Sequence, residues 1–63
     1  MMAMTKKEHE FYMFLQEKGG ELRATNEEIA KILNLNTSVI TKRIKSLVKK
    51  GYIVKDIGYI AIK

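Results

Sequence analysis

Residues 25–47, TNEEIAKILNLNTSVITKRIKSL, hold two helical periods separated by a tight turn. Thr25 followed three residues later by Glu28 fits a capping box, in which the hydroxyl takes the Glu28 amide and the carboxylate reaches back. Ile29, Ala30, Ile32 and Leu33 then recur at helical spacing, which predicts a helix over 26–33. Asn34 falls where a positive φ is wanted, and Asn tolerates that conformation better than most residues. Leu35 is expected to plug the turn. Asn36 is expected to cap a second helix over 37–50, with Gly51 closing it. With Ile40 set at zero on a helical wheel, Ile44, Leu47 and Gly51 fall within roughly 40° of it. Ser38, Thr41, Lys42, Lys45 and Lys49 span roughly 100° to 200°, on the other side. One side of this helix is apolar and the other carries cations and hydroxyls.

The flanks complete the pattern. Thr5 and Glu8 form another capping-box pair, predicting a first helix over 5–18 that Gly19 and Gly20 stop. Phe11, Tyr12, Phe14 and Leu15 cover an apolar arc of roughly 160°, wide for so small a chain, with Met13 outside it. Tyr12 and Met13 are therefore either ordinary exposed residues or part of a dimer contact. Residues 21–24 read as a short extended segment. The tail changes period: residues 52–55 and 59–63 are rich in β-branched and aromatic residues, which predicts a hairpin over 52–62. Tyr52 and Tyr59 are expected to pack on it rather than stack on bases. Ile57 at its tip is either an apolar partner contact or a tucked loop residue. The expected fold is mostly α with a small β-hairpin, one domain over 1–63.

Charge is polarised along the chain. Residues 1–30 hold four cations and six acids, net −2, whereas residues 31–63 hold eight cations and only Asp56, net +7. A strongly basic half points to a polyanion, either nucleic acid or an anionic membrane surface. The membrane reading is weak, because no Trp or Phe lies opposite the lysines of residues 37–50. No apolar run approaches the ~18 residues of a membrane span. A hydrophobic fraction of 46% suits a folded domain rather than a disordered tail. There is no cysteine and a single histidine, His9, so neither disulfides nor a structural zinc are expected. The start lacks the apolar core of a secretion signal, which makes the cytoplasm the default setting. The doubled methionine at residues 1–2 is read as a start-site ambiguity or an expression remnant. No nucleophile has a base at a workable spacing and no glycine-rich phosphate loop is present, so catalysis, cofactors and small-molecule ligands are not expected.

The element order, with these residues at these spacings, resembles the winged helix-turn-helix domain of MarR-like and Lrp/AsnC-like regulators. The resemblance rests on Thr25 opening the second helix, the Ile29–Ala30 pair, Ile32–Leu33 before the turn and Leu35 as its buried residue. Beyond the turn it rests on residues 36–40 opening the third helix, on Ile40, Ile44 and Leu47 as the inner face, and on residues 49–53 as the exit into a wing. It covers about residues 22–62. The family often has Gly at the place of Asn34 and often sends an Arg from the wing into the minor groove. Here Lys55 is the only cation near the wing tip.

This resemblance implies double-stranded DNA binding with the third helix as recognition helix. Thr37, Ser38, Thr41 and Lys42, at its start, are then assigned to base edges, with Val39 at the flank. Asn36, Arg43, Lys45, Lys49, Lys50 and Lys55 are assigned to phosphates. The leading reading is a sequence-specific transcriptional regulator acting as a homodimer. Two alternatives stand beside it: the DNA-binding domain of a plasmid or viral replication protein, and a winged-helix module that docks another protein. RNA binding is disfavoured, because the A-form major groove is too narrow for a helix.

Overall fold

The computed structural model describes residues 3–63; the doubled methionine, Met1 and Met2, lies outside the described residues. The order is α1 (Lys6–Glu17), β1 (Glu21–Leu22), α2 (Asn26–Leu33), α3 (Thr37–Lys50), β2 (Ile53–Asp56) and β3 (Tyr59–Ile62). The fold is mostly helical, with a small antiparallel sheet. Its strand order is β1-β3-β2. Residues 21–24 thus do more than connect helices. Glu21 faces Ala61 and Leu22 faces Ile60, so β1 gives the hairpin a third strand. The β2–β3 register, Ile53 with Ile62 through Asp56 with Tyr59, leaves Ile57 and Gly58 as the connection.

The caps explain where the helices begin. Both capping boxes are formed. The Glu8 amide donates to Thr5 Oγ1 (3.2 Å) and the Thr5 amide to Glu8 Oε1 (2.9 Å). Thr25 and Glu28 repeat the same two distances. All three helices end in one motif, with an amide bonded five residues back across a left-handed residue. Gly20 donates to Leu15 O, Leu35 to Ala30 O and Tyr52 to Leu47 O. Asn34 takes that conformation at φ 56°, which a β-branched residue would resist, and Gly51 takes it at φ 87°.

The core is built where these elements meet. Phe11 and Leu15 from α1, Ile29 from α2, Ile40, Ile44 and Leu47 from α3, and Ile53 and Ile60 from the sheet are all buried. Each such side chain contributes about 1.5–3 kcal/mol when withdrawn from water. The expectation that Leu35 is buried in the turn fails: Leu35 is 40% exposed, and Ile32 before it is 55% exposed. The terminal motif of α2 fixes the Leu35 backbone, but its side chain comes to rest at the surface rather than under it. Tyr12 also departs from its expected place. It is half-buried, with its ring edge-on to Tyr52 at 6.0 Å between centroids, so it packs within the chain. Of the two residues considered for a dimer contact, only Met13 is exposed, at 43%.

One buried polar cluster joins α1 to α3. Glu8 is 6% exposed. It accepts from Lys50 Nζ at 2.5 Å and from the Ser46 hydroxyl, in addition to the Thr5 amide. Lys50 Nζ also donates to the Ala3 carbonyl (3.1 Å). The carboxylate therefore has donors from two elements. The Lys50 ammonium, then Ser46 and Thr5, hold its pKa down from the ordinary 4.5 to about 2. A group depressed on folding stabilises the native state above its unfolded pKa, and that contribution fades as pH falls toward the folded value. Unfolding in urea should thus show stability that is flat above pH 5 and declines between about 4.5 and 2. The loss assignable to Glu8 should be about 1–2 kcal/mol after allowance for solvent screening. Glu8→Gln should flatten that decline; an unchanged pH profile in this variant counts against the network.

Candidate nucleic-acid interface

The geometry of α3 follows from its burial. Ile40, Ile44 and Leu47 are at 0–3% exposure and fix the rotation of the helix. Thr37, Ser38, Lys42, Lys45 and Lys49 are consequently exposed, and Thr41 and Val39 are half-buried. Among the described residues, nothing forms an ion pair with Lys42, Lys45 or Lys49. Their charge is uncompensated and faces solvent, which suits a polyanion.

The start of α3 is open. Asn36 occupies the cap position with extended backbone (φ −71°, ψ 143°), yet its side chain makes no capping bond. The expected Asn36 cap is therefore absent, because the residue is turned out to solvent. The first amides of α3, with their partial positive charge, are left without that partner. The start of α2 is different. Its capping box already fills it, and the Thr25 amide and hydroxyl hold the Glu28 pKa below the usual range. An anionic side chain thus sits where a phosphate at that end would go.

Thr41 is tied to α2. Asn26 Nδ2 donates to Thr41 Oγ1 at 3.3 Å, while Asn26 Oδ1 is buried without a partner. Thr41 still has its own hydroxyl proton to offer. No local signal marks this pairing, because the two residues are fifteen positions apart and belong to different helical periods.

Three cations assigned to phosphates lie elsewhere. Lys50 is committed to Glu8, with 14% of its side chain exposed, so it belongs to the fold. Arg43 is half-buried and borders a groove between α1 and the turn, with Phe14, Leu33 and Leu35. It lies roughly 60° from Ile40, away from the lysine face. Lys55 is half-buried in β2, with Nζ donating to the Asp56 carbonyl at 2.6 Å. The wing consequently presents little free positive charge. Its tip instead carries Ile57, 96% exposed, which removes the reading of a tucked loop residue.

A model of the winged helix-turn-helix DNA-binding family matches residues 21–54, more than half of the chain. The chain belongs to this family. No match was found among curated proteins or solved structures. The matched segment runs from β1 into β2, so it contains the whole helix-turn-helix and the entry to the wing. Membership makes this a DNA-binding domain with double-stranded DNA as partner. No helix among the described residues is long and apolar enough to cross a membrane.

The structure divides the lysines of α3 into two sets, with Lys42, Lys45 and Lys49 facing solvent and Lys50 paired with Glu8. Lys50→Met should lower the urea midpoint, costing about 2 kcal/mol by leaving the Glu8 carboxylate unpaired. It should leave the salt dependence of DNA binding unaltered. A salt slope that became shallower by about one unit would instead place the Lys50 ammonium on a phosphate.

Proposed function

We propose that this protein is a small sequence-specific regulator of transcription that lays α3 in the major groove. The observation that carries the reading is the exposed face of Thr37, Ser38, Lys42, Lys45 and Lys49 opposite a fully buried apolar face. A helix fits a groove ~12 Å wide with such a face turned inward. Thr37, Ser38, Thr41 and Lys42 lie in its first half and meet base edges. Lys45 and Lys49 lie further along and meet phosphates, which fix register without reading sequence. The uncapped amides at Thr37 and Ser38 take another phosphate.

Beside its contact with Asn26, the Thr41 hydroxyl keeps capacity for one further hydrogen bond in the groove. A Ser or Thr hydroxyl can meet either a donor or an acceptor on a base edge. A chain of 63 residues makes few phosphate contacts, so one copy binds a half-site weakly at physiological salt. Regulation at a defined site therefore requires a second copy.

Titration against duplex DNA at several salt concentrations tests the reading. Affinity should fall steeply as salt rises, with a log–log slope several units negative. Lys49→Ala should reduce that slope by about one with little change in preferred sequence. Lys42→Ala or Thr41→Val should relax preference at one or two base pairs by ~1–3 kcal/mol each. Flat salt dependence with no preference among duplexes would remove DNA reading as the role of α3.

A further inference from the structure

The two surfaces that DNA binding leaves unused fit one another. The first is the groove between α1 and the turn, of ≈270 Å³. Phe11, Phe14, Leu33 and Leu35 give it an apolar lining. Lys7 and Arg43 add cations and Glu10 one acid, so its lining is net positive. The second is the wing tip, where Ile57 is 96% exposed and has exposed Asp56 beside it. Isoleucine has no conformational role in this connection, where Gly58 supplies the positive φ. Turn tips ordinarily carry polar residues for that reason. An apolar knob with an adjacent carboxylate thus stands at the wing tip, and an apolar hole with two cations and one acid lies between α1 and the turn.

The geometry points to a contact between copies in which the wing tip of one chain seats in the α1–turn groove of the next. Ile57 enters against Phe14 and Leu35, and Asp56 faces Lys7 and Arg43. The inference rests on the DNA-binding reading only for its purpose, because the contact itself uses neither the lysine face nor the base-reading residues. Knob and hole are different surfaces, so the contact is heterologous. The groove includes the turn before α3 and the wing follows its other end. A 14-residue helix separates those ends by about 20 Å. In the arrangement proposed, the contact continues from copy to copy rather than closing into a two-fold pair. The site it reads is then a direct repeat rather than a palindrome.

Sedimentation velocity on the purified chain tests the contact without DNA. The wild type should grow in average mass with concentration, passing beyond a dimer. Ile57→Ser and Leu35→Ser should each weaken self-association at least tenfold. An equimolar mixture of the two should stop at a dimer, because the intact knob of the Leu35→Ser chain finds the intact groove of the Ile57→Ser chain. Lys7→Glu supplies a second groove variant should Leu35→Ser lose its helical circular dichroism. A wild type that is monomeric at every concentration, variants that still associate, or a mixture that stays monomeric would each overturn the proposal. Selection of random duplexes should return direct repeats with the wild type and single half-sites with Ile57→Ser; palindromes from the wild type would also overturn it. Affinity of Ile57→Ser for a single half-site duplex should match the wild type. Failure of both chains to bind any duplex would sink the DNA reading and leave the sedimentation result standing by itself.

Discussion

The outward face of α3 is set by what lies behind it. Ile40, Ile44 and Leu47 are drawn under α1 and the sheet, and their burial fixes how the helix is turned about its axis. A rotation of one residue, ~100°, would bring Thr41 and Lys45 toward the core and push Ile40 toward solvent. Placing an ammonium in the core costs several kcal/mol unless it is paired. The apolar stripe and the cationic stripe therefore enforce each other. Small domains bury only ~60% of their unfolded surface, so this stripe is a large share of what holds the molecule together.

The Glu8 cluster adds a directional contact to that non-directional one. Hydrophobic packing lets α1 slide or roll over α3 with little change in buried area. A carboxylate that takes Ser46 and Lys50 from α3, while closing the cap of its own helix, allows far less freedom. Net stabilisation from a buried pair is small, because desolvation offsets much of the attraction. The contribution of the cluster is better understood as register between two helices. It also divides the lysines of α3 by role, since Lys50 faces α1 and Lys49, one residue away, faces water.

Local signals carried most of the fold. Both capping boxes, the left-handed Asn34, the Gly51 stop and the change to a two-residue period were readable because each depends on residues at most a few positions apart. The lysine face of α3 was readable for the same reason: a single helix wheel defines it. Long-range partners were not legible. Nothing near Lys50 marks it as paired with Glu8, forty-two residues away, and nothing near Arg43 says that it borders a groove. Leu35 and Ile32 look like core residues by type and spacing, yet burial depends on how fully another element covers them, and they stay 40% and 55% exposed. The pairing of β1 with β3 was missed because two residues of strand are too few to leave a periodic trace.

The wing presents little free positive charge. Lys55 is turned onto its own backbone and Asp56 would repel a phosphate. The exposed cations of the proposed DNA face, Lys42, Lys45 and Lys49, are all on α3. A domain with so few phosphate contacts has steep salt dependence and modest affinity, and neither is remedied by improving single contacts. Linking copies does remedy it. A second copy held nearby binds at an effective concentration far above its bulk value, so two weak half-sites act as one strong site. An apolar tip is poorly suited to a charged polymer and well suited to a neighbouring protein surface. The features that weaken the wing as a DNA contact are the features that suit it to joining neighbours along the duplex.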